Sequence, residues 1–187
     1  MRIAVLGWGS LVWDPKQLKV QGDFEPSGPP LSIEFSRISA NGRLTLVIDE
    51  RNGTVCQTSY AVSAAESLDD ARENLCVRES MTHANGVGFV NCETGAISAR
   101  ANERHPAAVP VILDWARTHG FDAVIWTALA PNFSAERNAE YTTAAAVAYI
   151  SDLASDRFAL AAEYIRKAPK AVQTPFRTAF SEKWPES

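Results

Sequence analysis

Two Asn-Gly pairs, Asn41-Gly42 and Asn52-Gly53, punctuate the stretch from Ser32 to Val62 and limit what the whole chain can become. Asn-Gly between apolar runs is a hairpin signal, because both residues tolerate the positive φ that a tight two-residue turn needs. Ser32 to Ile38 alternates so that Ile33, Phe35 and Arg37 share one face. Arg43 to Asp49 answers with Leu44, Leu46 and Ile48, and Val55 to Val62 follows the second turn. Three strands joined by short turns predict an antiparallel meander. Parallel neighbours need long crossovers, so a purely parallel α/β sheet is excluded.

The rest of the chain adds strands and helices. Ile3-Ala4-Val5-Leu6, stopped by Gly7, reads as a short buried strand. Residues 16–30 are polar, end in Pro26-Ser27-Gly28-Pro29-Pro30, and read as a connection. Ser67 to Glu79 is the clearest helix. Ser67 with Asp70 resembles a capping box, Asp69 and Asp70 suit the positive end of the dipole, and Leu68, Ala71, Leu75 and Cys76 form one stripe. Asn85 to Asn91 reads as a strand, Val109 to His119 as an amphipathic helix closed by Gly120, and Asp122 to Leu129 as a strand buried on both faces. Beyond Pro131-Asn132-Phe133, a loop through Tyr141 leads to helices near 142–153, 156–168 and 175–183. Residues 1–187 therefore read as one α+β domain, a mixed, largely antiparallel sheet flanked by helices.

Composition narrows the partners. The chain is 46% hydrophobic and 21% charged, with a formal net charge of −4 and no block of Lys or Arg, so phosphate-tracking nucleic-acid binding has little electrostatic support. No apolar run approaches the ~20 residues of a membrane span. The short apolar run after Met1-Arg2 is not a signal-peptide core, and the expected location is cytoplasmic. Cys56, Cys76 and Cys92 are odd in number and widely spaced, and His83, His105 and His119 are scattered. Neither a disulfide framework nor a metal site is expected.

Two places carry chemistry. Gly7-Trp8-Gly9-Ser10-Leu11 follows a strand, so its glycines allow a sharp turn and let backbone N–H groups approach a bound anion. It is not a dinucleotide loop. The third glycine of that fingerprint is replaced by Val12, and Trp13-Asp14-Pro15 is poor material for a first helical turn. The second place is Glu79. A helical wheel puts it within about 20° of Leu68, at the centre of the apolar stripe, whereas Glu73 is turned to solvent. Either Glu79 lies past the helix end or is neutralised by Arg72, or it lines a pocket where desolvation raises its pKa into a range useful for acid/base work. Arg37 has the same ambiguity: an edge side chain reaching water, or a guanidinium aimed at a substrate carboxylate.

Taken together these stretches resemble the γ-glutamylcyclotransferase-like superfamily, its ChaC-type branch in particular. Leu6-Gly7-Trp8-Gly9-Ser10-Leu11-Val12-Trp13-Asp14-Pro15 is similar to the family's "YGSL(I/M)WNP" opening. Gly53 to Val62, followed by Ala71-x-x-x-Leu75-x-x-Arg78-Glu79, is similar to its "G-x-A-Y-x-V … A-x-x-x-L-x-x-R-E". Ala123 to Leu129 with Pro131-Asn132 matches a late strand and turn more loosely. The resemblance implies a small sheet closing toward a barrel with a pocket at its mouth. It implies cofactor-free, metal-free cyclisation of a γ-glutamyl group to 5-oxoproline, from glutathione or another γ-glutamyl peptide or amine. Glu79 falls on the family's general acid/base, and Gly9, Ser10 and Leu11 on its glutamyl cradle, with Gly7 and Trp8 of the same loop also expected to bind substrate. Arg37 is the candidate carboxylate partner. The chain departs from the family at Trp8, usually tyrosine, at Asp14, usually asparagine, and in Ser80-Met81-Thr82-His83 after the glutamate. These departures leave a second expectation open, a binding or regulatory module on the same fold without turnover.

Overall fold

The computed structural model describes residues 1–186, which form eight strands and seven helices. The strands are β1 (Ile3–Gly7), β2 (Val20–Glu25), β3 (Pro30–Ile38), β4 (Leu44–Ile48), β5 (Thr54–Gln57), β6 (Ser59–Ser63), β7 (Val87–Asn91) and β8 (Ala123–Thr127). The helices are α1 (Leu68–Arg78), α2 (Ala99–Arg104), α3 (Ala108–Thr118), α4 (Phe133–Arg137), α5 (Thr143–Ser151), α6 (Ser155–Lys167) and α7 (Pro175–Lys183). The strands make a five-stranded sheet, β2-β6-β1-β8-β7, and a three-stranded sheet, β4-β3-β5.

The apolar runs of β1 and β8 follow from burial on both faces. Alternate residues of each strand enter two cores: Ala4, Leu6, Val124 and Trp126 the larger, Ile3, Val5, Ala123 and Ile125 the smaller. The smaller core is closed by Ala71, Leu75 and Cys76 of α1, whose first turn is capped by Ser67 Oγ accepting from Asp70 N–H at 3.1 Å. The larger core joins the two sheets, taking Ile33, Phe35, Leu44, Leu46 and Ile48 from the smaller one. Helix α3 packs on both sheets, while α4, α6 and α7 pack on β3 or β4. Among the described residues no helix is long and apolar enough to cross a membrane.

Several expectations need correction. The three runs after Pro30 are not a meander: β3 is central, with β4 and β5 on its two edges, both antiparallel. The first turn is a loop over 39–43 with Gly42 at φ 81°, wider than a two-residue hairpin. At the second, Asp49 Oδ1 accepts from Arg51 and Asn52 N–H, and a Cβ at Gly53 would collide with the backbone of Asp49 and Ser32. Only a bare backbone passes there, which takes the chain across to the far edge of β3. The third run then divides at buried Thr58, whose N–H and Oγ1 donate to Pro29 O at 3.4 and 2.6 Å and whose carbonyl accepts from Gly28 at 2.9 Å. Beyond it β6 joins β1 and β2 in the other sheet.

That division is also why no barrel closes: β2 and β7 remain edges of one sheet, β4 and β5 of the other. The polar stretch read as a connection contains β2, a largely exposed edge strand whose burial shows no core-facing alternation. Helices α2 and α4 were not expected. Finally, the register of β3 on β4 slips by one residue between Glu34 and Arg37, so Ile33 opposes Ile48 while Arg37 opposes Thr45. This bulge takes Arg37 out of step with Ile33, against the shared face read from the alternation.

Candidate functional site

Strands β1 and β8 are parallel neighbours, and their carboxyl ends open onto a cavity of about 310 Å³. The loop after β1 supplies Gly7 to Leu11, β8 and the residues after it supply Thr127 and Leu129, and β3 and β4 supply Arg37, Thr45 and Val47. The end of α1 supplies Arg78 and Glu79, and α6 supplies Tyr164. The two sheets thus provide opposite walls, with the bend after the first strand between them.

The bend is tight, with Val12 N–H donating to Gly9 O at 2.9 Å and Asp14 N–H to Ser10 O at 2.8 Å. Gly9 is required by close approach, since a Cβ there would lie 2.6 Å from the Tyr164 hydroxyl. That hydroxyl accepts from Leu46 N–H at 3.3 Å, and burial pushes its pKa up to about 12. Trp8 is buried and its indole N–H donates to Leu46 O at 3.3 Å, so its one polar atom is committed to β4. Leu11 belongs to the smaller core as well as lining the cavity. Ser10 Oγ is 3.4 Å from Arg78 Nη2.

Glu79 is the C-cap of α1, its N–H bonded to Leu75 O at 3.0 Å and its side chain 21% exposed. The guanidinium beside it is that of Arg78, at 2.8 Å, and not Arg72, which pairs with Asp69 at 3.2 Å and lies over the Phe89 ring. Burial raises the Glu79 pKa above the ordinary carboxylate value, against the opposing charges of Arg78 and Lys16. Arg78 is itself buried and also donates to Asp14 O at 2.6 Å. One guanidinium therefore fastens the end of α1 to the glycine bend and holds Glu79 in the same cavity. Glu73 is exposed, as the helical wheel requires.

Arg37 lines the cavity, with Nη1 donating to Ala130 O at 2.7 Å. Sequence reasoning missed Lys16, Arg43, Arg78 and Tyr164, which line it too. Arg78 had a signal, since it sits beside Glu79 in the matched motif; Tyr164 had none, because helix α6 carries no motif. Four cationic side chains, Lys16, Arg37, Arg43 and Arg78, line the cavity that holds Glu79, in a chain whose net charge is −4. The concentration of positive charge suits an anionic guest.

The cavity rim holds strained backbone. Lys16 and Ser80 both line it and take φ of 52° and 53°, a left-handed conformation that costs a side-chain-bearing residue about 1–2 kcal/mol. Among the described residues the remaining non-glycine residue of this kind, Asn138, ends α4, where asparagine is at home. Among the described residues, no three His, Cys, Asp or Glu side chains gather as a metal ligand set. Comparison of the chain with family profiles, with curated proteins and with solved structures finds no match.

Proposed function

We propose that the cavity binds a γ-glutamyl compound and cyclises it to 5-oxoproline, as the resemblance of the two motifs implies. The observation that carries this reading is the meeting of Glu79, partly desolvated and raised in pKa, with the Gly7–Leu11 bend in one cationic cavity. The split sheet is then an open variant of the barrel that the resemblance implies.

The chemistry follows from those groups. The α-ammonium of a γ-glutamyl group is not a nucleophile until it loses a proton, which the Glu79 carboxylate accepts. The freed amine attacks the γ-carbonyl carbon of the same molecule, forming the lactam C–N bond. Negative charge growing on the carbonyl oxygen is met by N–H groups of the bend. The bond to the departing nitrogen then breaks as Glu79 returns its proton to that nitrogen, and the ring nitrogen sheds the second proton of the original ammonium to the Glu79 carboxylate and so to the departing amine, leaving one on the lactam; no water is consumed and no redox change occurs. Because both reacting groups are in one molecule, the site has only to hold the cyclising conformer, with Arg37 on the substrate carboxylate.

Incubation of the purified protein with glutathione and a panel of γ-glutamyl compounds, followed by chromatography for 5-oxoproline, tests the proposal. Product is expected, with turnover falling at least ~100-fold in Glu79→Gln, the contribution of a positioned acid/base. The Arg78–Glu79 pair at 2.8 Å favours a second reading, a binding module in which the carboxylate stays anionic and does no proton transfer. Saturable binding without product, insensitive to Glu79→Gln, would select that reading.

A further inference from the structure

Among the residues of helix α6, Tyr164 alone lines the Glu79 cavity, and it brings its hydroxyl to the glycine bend. The ring is fixed from several sides. It meets Trp13 edge-on at 5.4 Å and Phe35 at 6.3 Å, and the Arg43 guanidinium lies 5.5 Å from its centre. The oxygen accepts from Leu46 N–H at 3.3 Å, and the Ser10 amide and the Glu79 charge also act on it. Among the described residues nothing accepts the hydroxyl proton in return. A phenol both donates and accepts, so its donor side is left open. Neighbouring donors are committed: Trp8 Nε1 donates to Leu46 O at 3.3 Å and Thr45 Oγ1 to Arg37 O at 3.2 Å, while Val12 and Asp14 N–H close the bend itself. Burial keeps the phenol protonated far above neutral pH. An amide donating into its oxygen also polarises the O–H outward.

Resting on the γ-glutamyl reading of the cavity, we infer that Tyr164 is a catalytic residue whose O–H donates to the γ-carbonyl oxygen of the guest. The bend holds that oxygen, and the hydroxyl is a neutral side-chain donor set against the bend. The bond strengthens as negative charge grows on the carbonyl oxygen, so it lowers the barrier more than it tightens ground-state binding. Tyr164 keeps its proton throughout. Glu79 alone moves protons, and the balance of the reaction is unchanged.

Turnover and binding test this separately. In Tyr164→Phe, kcat for 5-oxoproline formation is expected to fall about 100-fold with KM little changed, the signature of a donor used in the transition state. A residue that only shapes the wall would raise KM instead. Binding is read by calorimetry with two rings of equal charge, 3-oxocyclopentanecarboxylate and cyclopentanecarboxylate. The wild type should prefer the oxo ring about fivefold, the net worth of one hydrogen bond. Tyr164→Phe should lose that preference while binding the plain ring as before. If the variant does not fold, NMR of wild-type protein labelled at tyrosine Cζ decides. Of the four tyrosines, only Tyr164 should shift with the oxo ring and not with the plain one, its signal assigned by replacing the other three singly. Equal affinity of the wild type for both rings, a preference kept in Tyr164→Phe, or a Tyr164 signal that answers both rings alike overturns the assignment, while product formation upholds the cyclisation. An oxo preference lost in Tyr164→Phe, with no product from any γ-glutamyl compound, supports the donor and removes the cyclisation. Absence of both binding and turnover overturns the two together.

Discussion

His105 makes a quantitative pH prediction. The imidazole is fully buried at the end of α2, where Trp126 Nε1 donates to its Nδ1 at 3.1 Å. A proton on Nδ1 would face the indole N–H donor to donor, and the charge would be out of reach of water. Burial accordingly lowers its pKa from 6.5 to about 4. Between those values the unfolded chain holds the proton and the folded chain does not, so acidification favours unfolding. A gap of that size, at about 1.4 kcal/mol per pH unit, amounts to about 3 kcal/mol. Set against a typical total stability of about 5–15 kcal/mol, that is a large fraction. The perturbation is His105→Gln, which keeps an acceptor for Trp126 and cannot titrate. Urea unfolding of both proteins at intervals from pH 7.5 to pH 4 should show the wild type losing about 3 kcal/mol more than the variant, most of it below pH 6.5. Carboxylates common to both proteins cancel in the difference. Parallel pH profiles, or an imidazole resonance titrating near 6.5, would refute the reasoning.

Two further outcomes concern the bend and its fastening. Gly9→Ala should cost about 1–3 kcal/mol by thermal denaturation, because the new methyl meets the Tyr164 hydroxyl. Adding Tyr164→Phe should return part of that loss, whereas strictly additive costs would show that the contact is not the cause. Arg78→Met should cost about 3 kcal/mol at pH 8 by leaving Glu79 charged and unpartnered, and much less at pH 5. The sign follows from a carboxylate whose folded pKa is raised, since its protonated form is the comfortable one and stability falls as pH climbs through that value. An equal loss at both pH values would dismiss the coupling.

What could be read from the residues divides by physical cause. Strands β1 and β8 and helices α1, α3 and α5–α7 announce themselves through apolar periodicity or a cap, because burial and local hydrogen bonding act on the same few residues. Ser67 and Gly120 mark helix ends for the same reason. Strand β2 is silent because a solvated edge strand is held chiefly by its backbone pairing with β6, and only Val20 and Phe24 of its six residues pack against the smaller core. The division at Thr58 and the slip before Arg37 are silent too, since neither contains glycine or proline and both arise from which sheet claims the next residue. At the candidate site, Glu79 and the glycine bend were legible as anomalies, a carboxylate in an apolar stripe and a glycine turn after a strand that lacks the third glycine of a dinucleotide loop. Lys16, Arg43 and Tyr164 come from separate segments that only the fold assembles, and each alone is an ordinary surface or core residue.

Leu46 in β4 takes the Trp8 indole N–H on its carbonyl and offers its own N–H to Tyr164. Those two bonds leave the two peptide planes that meet at one Cα, one going to the loop that follows β1 and one to helix α6. That residue is therefore the gauge of the opening: it ties the smaller sheet both to the loop of the larger one and to the helix beside the cavity. Substrates of different girth would be sorted by a strand that never touches the reacting atoms.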